Sequence, residues 1–332
     1  MSTPLRPVPV VSVALCTHNG ALYLGEQLRS ILAQTRVPDE VVISDDASTD
    51  GTIELARAVL AESTIPVSLT VISNTVALGV TGNFEQAVRA CRGDIIVLSD
   101  QDDVWHRDRV AIALTAFDAD PDLLFLHSNA QLVDETGRPI GYSLFAALQI
   151  SRRELRWVRS GRAVRALLRR NLATGATAAF RTSLLDAALP FPAPWVHDEW
   201  LAIIAAVTGR IDYRSDSLID YRQHGANQIG ATRSSLVEKS DTLRGSRYNR
   251  IDSLIVRTER LRERVLALGD QVHPGVLLRL DDKLSHLRAR RGLPAAPPLR
   301  IPGILAGIVS GRYDRYGRGL YDVARDLLQR AG

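Results

Sequence analysis

Three groups of acidic residues carry the chemistry open to this sequence. Asp45-Asp46 stands in SDDASTDGT, Asp100, Asp102 and Asp103 in SDQDDVW, and Asp198-Glu199 in VHDEW. Carboxylates repel one another and are costly to bury, so several converging on one site need a compensating positive charge. A divalent cation bridging a diphosphate supplies that charge, and Mg2+ or Mn2+ takes oxygen ligands of this kind. Taken singly, each Asp pair reads equally well as a helix cap or a loop turn. Three such clusters at the ends of elements are not explained that way. The set suits displacement of a nucleoside diphosphate from the anomeric carbon of a sugar. Charge growing on the leaving β-phosphate is stabilised by a divalent ion, and the acceptor hydroxyl loses its proton to a carboxylate base. Attack from the face opposite the leaving group inverts the anomeric configuration. The base must then lie across the sugar from the metal, as Asp198 on a separate loop would.

The elements that must position these groups are legible up to about residue 130. Val8 to Leu15 (VPVVSVAL) reads as a buried strand ending in a polar turn at Thr17, His18, Asn19 and Gly20. Leu24, Leu28, Ile31 and Leu32 then repeat with helical spacing. Glu40 to Ser44, Val67 to Ser73 and Asp94 to Ser99 read as further strands. A helix carrying Ile53, Ala56 and Leu60 and another carrying Phe84, Val88 and Cys91 lie between them. Strands alternating with crossover helices predict an α/β fold with a mostly parallel sheet covered on both faces. Functional loops belong at the carboxyl ends of such strands, where Asp45-Asp46 and Asp100 to Asp103 fall. Beyond residue 130 the alternation loosens. Leu123 to Val133 and Ser217 to Gln223 read as strands, Arg162 to Arg170 and Trp200 to Val207 as helices. From Ser235 the chain turns Leu- and Arg-rich and helical, with Leu254, Leu261, Val265 and Leu268 as an apolar stripe, until Pro294, Pro297, Pro298 and Pro302 break it. A boundary is placed near residue 232, dividing a catalytic domain at 8–232 from a helical region at 233–332.

Composition narrows the classes. Hydrophobic residues at 45% and charged residues at 23% suit a folded globular chain and exclude dominant disorder. The formal net charge of +4 comes from arginine and suits phosphate-bearing partners. It is too small to argue for nucleic acid. Cys16 and Cys91 form no disulfide framework and no metal motif, and read as buried thiols. With no run of 18 apolar residues and no signal-type leader, the expected place is the cytoplasm, or the inner face of the cell membrane as a peripheral protein.

The segments VSVALCTHNGALYLGEQLRSILAQT, EVVISDDASTDGT and GDIIVLSDQDDVW, in this order and spacing, resemble family 2 glycosyltransferases of the GT-A fold, nearest to bacterial rhamnosyltransferase-like members. ATGATAAFR, HDEW and YRQHGANQIG extend the resemblance to about residue 230. The resemblance implies a nucleotide-sugar-binding fold and assigns roles by position. Thr17 and Asn19 would contact the base, and Asp46 would accept a hydrogen bond from the pyrimidine N–H. Asp100 would sit near the ribose or metal, and Asp102 would bind the metal directly. Asp198 would be the base of the inverting mechanism. His224 is a candidate metal ligand or diphosphate contact, with Arg222 a candidate phosphate partner. Asp103 is equally well a cap for a helix beginning near Arg107. Trp105 and Trp200 are read as core rather than sugar-stacking residues, and Gly175 as a close backbone approach or a tight turn.

The expected cofactor is Mn2+ or Mg2+. The expected donor is dTDP-rhamnose first and a UDP sugar second, and the acceptor a hydroxyl of a glycan or lipid-linked glycan in cell-surface polysaccharide biosynthesis. A nucleotidyltransferase would be expected to open with a basic, Gly-rich loop, yet CTHNGALYL has one Gly and no Lys or Arg. A dinucleotide oxidoreductase would need G-x-G-x-x-G at the same turn. A non-catalytic sugar-binding module would not need Asp102 and Asp198 together. The Gln-x-x-Arg-Trp segment of processive synthases has no match, which implies single transfers. Arg260, Arg262, Arg264, Arg288, Arg290 and Arg291 read as a solvated helix face, with a membrane contact or an oligomer interface as the alternatives.

Overall fold

The computed structural model describes residues 8–225 and 247–329. Four strands build the first half: β1 (Val11–Thr17), β2 (Glu40–Asp45), β3 (Ser68–Ser73) and β4 (Ile95–Ser99). They pair in parallel in the order β3-β2-β1-β4. The crossovers between them are α1 (Ala21–Leu32), α2 (Thr52–Ala61) and α3 (Gly79–Ala90). Every residue of β1, β2 and β4 is buried, as continuous apolar runs covered on both faces must be. The turns carrying Asp46 and Asp100 to Asp103 therefore open at one sheet edge.

The second half completes a mixed sheet. It runs through β5 (Val104–Trp105), α4 (Arg109–Ala119), β6 (Leu123–Val133), β7 (Pro139–Ser143), α5 (Leu144–Ala147), α6 (Arg152–Arg159) and α7 (Ala163–Leu167). After these come β8 (Ala178–Arg181), α8 (Leu185–Ala188), α9 (His197–Thr208) and β9 (Arg210–Arg222). β8 is antiparallel to both β4 and β6, β9 lies parallel to β6, and β5 pairs antiparallel with β9. The α/β class with a mostly parallel sheet holds, and the antiparallel strands were not foreseen. β5 matters to the site: two residues pairing with Ile219 and Asp220 pin the Asp100–Asp103 turn against the end of β9.

Several local expectations change. Thr17 and Asp45 are last residues of strands rather than turn residues. Helix α4 begins at Arg109 with Asp108 at its cap position, so Asp103 caps nothing; it accepts the Arg222 amide at 3.0 Å. Asp198 sits in the first turn of α9 rather than on a preceding loop, where a carboxylate favours the positive end of the helix dipole. Trp200 is fully buried and donates to the Ala188 carbonyl, and Trp105 is buried under the Arg109 guanidinium, so both belong to the core.

The C-terminal helices Arg247–Leu268 and Val276–Arg291 dock on the first unit. Leu261, Val265, Val276 and Leu280 share one apolar core with Trp200, Ile204 and Val207. The boundary expected near residue 232, and the tail of YRQHGANQIG, lie outside the described residues. Pro294 does lie in the break between the helices Val276–Arg291 and Pro297–Val309, but the other three prolines belong to a helix. Pro297 and Pro298 open the helix Pro297–Val309, where the lost N–H groups are unpaired anyway, and Pro302 follows within it. Of the six C-terminal arginines, Arg260 and Arg288 do lie on a solvated face, while Arg264 and Arg290 are drawn into the fold. Arg290 is buried against Asp326 at 2.5 Å, Arg264 donates to the carbonyls of Ala187, Leu189 and Pro190, and Arg260, Arg262, Arg288 and Arg291 each pair with an acid. Among the described residues, no helix is long and apolar enough to cross a membrane.

Candidate active site

A cleft of about 630 Å3 opens at the carboxyl ends of β1, β2 and β4. All seven residues expected at the site line it: Thr17, Asn19, Asp46, Asp100, Asp102, Asp198 and His224. They come from five separate stretches of chain, gathered by the parallel strands and by α9 and β9.

The base-side loops are held by their own polar groups. Thr17 donates its hydroxyl to Asp45 at 2.7 Å, and its carbonyl accepts the Asp46 amide at 2.8 Å. What Thr17 offers the cleft is therefore mainly shape. Asn19, at a positive φ of 48°, accepts the Thr49 amide at 2.9 Å. Asp46 accepts the amides of Leu78 and Gly79 at 2.6 and 2.9 Å, fixing the entry to α3. Each carboxylate oxygen keeps a second lone pair, so the residue remains able to accept from a ligand. Its partner Asp45 has both oxygens engaged by Thr17 and Ser48 and is a support for the turn.

Across the cleft floor, the Asp102 carboxylate lies 2.8 Å from His224 Nε2. His224 also packs on Tyr23, ring centroids 5.0 Å apart. Arg222 does not reach into the cleft. Its guanidinium donates to Glu26 at 2.6 Å, to the Asp102 carbonyl at 2.8 Å and to the Glu135 carbonyl at 3.1 Å, so it clamps the acidic turn to α1 and β9. The phosphate role expected for it is replaced by this support. Asp100 is pushed up to about 7, first by burial and then by Asp102 and Asp198, with Arg109 pulling the other way.

Asp198 is pushed up to about 6, chiefly by burial, while the amides of Glu199 and Gly175 favour its ionised form. It accepts the Gly175 amide at 2.9 Å. Glycine is required there, because a Cβ would stand 2.7 Å from His197 Nε2. Glu199 turns away from the cleft into an ion pair with Arg257, from the helix Arg247–Leu268. Arg257 itself lies over the Trp195 ring at 4.2 Å.

His197 escaped the sequence reading. It stacks on Phe84 with centroids 3.9 Å apart, lines the cleft beside Asp198, and leaves both ring nitrogens without a hydrogen-bond partner. Burial lowers it to about 3, so it is a neutral imidazole. A lone His before an acidic pair carries no signal of that placement.

The donor set fits a divalent ion shared with a ligand. Among the described residues no three His, Cys, Asp or Glu side chains converge to hold an ion alone, but Asp102 and His224 meet as a pair with Asp100 nearby. Mg2+ and Mn2+ sites at diphosphates commonly use one or two protein ligands and fill the rest with phosphate and water. Among the described residues, the cleft lining contains no Lys or Arg.

Over 104 residues the chain is 32% identical to the dTDP-rhamnosyl transferase RfbG of Shigella flexneri, covering 30% of this chain and 35% of that one. The match thus spans about a third of that relative's length. The structure is similar to that of S. aureus TarS 1-349 in complex with UDP-GlcNAc, with a TM-score of 0.55 at 19% identity over 96% of this chain and 88% of that one. It is also similar to the mannosyltransferase PcManGT of Pyrobaculum calidifontis in complex with GDP-Man and Mn2+, with a TM-score of 0.54 at 21% identity over 96% and 84% of the two chains. At these identities the likeness shows the fold, which is GT-A. The sequence pattern of glycosyl transferase family 2 matches residues 12–187, more than half of the chain, which therefore belongs to that family.

Proposed function

We propose that this cleft binds a pyrimidine nucleotide-diphosphate sugar and transfers the sugar, with inversion, to a hydroxyl of a glycan or glycolipid. The observation that carries the reading is Asp198: a carboxylate held by two amides, with an affinity for protons near neutrality, in one cleft with the Asp102–His224 pair. In the reaction, the acceptor oxygen bonds to the anomeric carbon as the bond from that carbon to the diphosphate oxygen breaks. The hydroxyl proton passes to Asp198, whose raised pKa makes it a stronger base while still largely ionised at pH 7. His197, a neutral imidazole stacked on Phe84 and packed against Gly175, supports the wall of the cleft beside that base. Asp102 and His224, with Asp100, are the residues to hold a divalent ion against the diphosphate. Bound there, Mn2+ or Mg2+ supplies Lewis-acid stabilisation of the leaving β-phosphate.

Thr17, Asn19 and Asp46 form the base-binding side, and Asp46 is assigned to the imide N–H that uracil and thymine share and cytosine lacks. Asp46→Ala is expected to weaken calorimetric binding of UDP and dTDP by about ten- to a hundredfold, the usual cost of a charge-assisted hydrogen bond. Because Asp46 also ties down Leu78 and Gly79, Asp46→Asn is the companion variant; equal binding by both variants and the parent removes Asp46 from the site.

For the donor, the likeness to RfbG supports dTDP-rhamnose first, and the TarS complex supports a UDP sugar second. The test is a hydrolysis and transfer screen of the purified protein against dTDP-, UDP- and GDP-linked sugars with Mn2+ and Mg2+. A product whose anomeric configuration is retained would overturn the inverting reading. Turnover of no nucleotide sugar, with intact nucleotide binding, would favour a binding module instead.

A further inference from the structure

Beyond the transfer site, the helix Pro297–Val309 presents a face that the fold leaves uncovered. Its inner side is Arg300 and Ile304, both buried. Its outer side carries Leu299, Ile301, Leu305, Ile308 and Val309, with Leu299 66%, Leu305 53% and Val309 87% exposed. In PPLRIPGILAGIV the one charged residue is the buried Arg300, so every exposed side chain of the helix is apolar. A soluble surface normally scatters such residues; a continuous arc of them marks an interaction face.

The surroundings say what covers it. After the apolar helix comes the short helix Arg312–Tyr316, whose Asp314 receives Arg153 at 3.0 Å and Arg169 at 3.3 Å, while Arg169 also donates to the Gly317 carbonyl. This segment joins the apolar face to α6 and α7. There, residues 152–170 carry eight arginines against one acid, Glu154, whose carboxylate is taken by Arg170 at 2.9 Å. Arg152, Arg156 and Arg159 line a shallow cavity of about 680 Å3 with Ser160 and Tyr213. An apolar helix beside a cationic surface matches an anionic bilayer, whose headgroups meet the arginines while the acyl boundary takes the apolar arc. A second copy fits less well, since a two-fold contact sets the same patch against itself and brings arginine toward arginine.

We propose that this protein docks on anionic lipid through the outer face of Pro297–Val309, with the α6–α7 arginines on the headgroups. The surface differs from the C-terminal arginines that sequence alone would nominate, five of which are paired with acids and the sixth, Arg264, with backbone carbonyls. The reading is independent of the sugar-transfer proposal.

The test is co-sedimentation of the full-length protein with phosphatidylglycerol–phosphatidylcholine vesicles and with pure phosphatidylcholine vesicles, at low and high salt. The parent is expected to bind the anionic vesicles in a salt-sensitive way. L305E/V309E is expected to lower the partition at least tenfold, and R152E/R156E/R159E about a hundredfold on the anionic vesicles, from about a fivefold effect per arginine. Thermal unfolding and nucleotide binding in solution verify that each variant is folded. Binding no stronger to anionic than to neutral vesicles, or folded variants that bind like the parent, overturns the proposal. So does analytical ultracentrifugation showing a parent dimer that L305E/V309E converts to monomer, since a second copy would then cover the face.

Discussion

Asp198→Asn is expected to lower kcat by about 10²- to 10⁴-fold, the usual contribution of a positioned general base. Donor binding, measured by calorimetry, is expected to stay within a few fold of the parent, because Asp198 lies apart from the base-binding loops. The substitution keeps the side chain's shape but removes its affinity for a proton. In the parent, burial raises the carboxyl to about 6. The active form is the ionised one, so kcat/KM should be level near pH 7 and fall as pH drops through about 6. The acid limb of that profile should vanish in the Asn variant. The control is Glu199→Gln, whose carboxylate is committed to Arg257 and not to the cleft. Its kcat is expected to change far less. An inactive Glu199→Gln beside an active Asp198→Asn would reverse the two roles.

The second large effect is expected at Asp102. Removing this carboxylate leaves His224 without its 2.8 Å partner and takes away the central acid of the cleft floor. Asp102→Ala is expected to reduce kcat/KM on the order of 10³-fold, since a bound divalent ion supplies several kcal/mol of stabilisation to a departing phosphate. A readout independent of turnover is the gain in UDP or dTDP affinity when Mn2+ is added, present in the parent and lost in the variant. His224→Ala should diminish the same gain to a smaller extent. Full activity of the parent in excess chelator would falsify the metal assignment for Asp102, Asp100 and His224 together.

The difference between what was legible and what was not has a physical pattern. Continuous apolar runs, helical spacing and turn residues are short-range signals, and they placed β1 to β4 and α1 to α3 within a few residues. The same local rules put Asp46 and Asp100 to Asp103 at strand ends, and parallel pairing then required those ends to share one edge. The resemblance of the motifs supplied roles for Asp198 and His224 that spacing alone does not contain. Tertiary structure decided what depends on partners far apart in the chain. Asp102 meets His224 across 122 residues because β5 pairs with β9, a two-residue ladder too short to show any periodicity. Arg222 became a clamp because burial leaves its guanidinium only protein acceptors to satisfy. His197 entered the cleft because Gly175 allows its ring to approach the backbone. Arg262, Arg290 and Arg291 looked free in sequence and are paired with acids on neighbouring helices, while PPLRIPGILAGIV, read as a break, folded into a helix with one apolar side left bare. Local composition specifies which elements form and which residues can do chemistry; which charges are neutralised and which surfaces stay open is set only when the helices and strands pack.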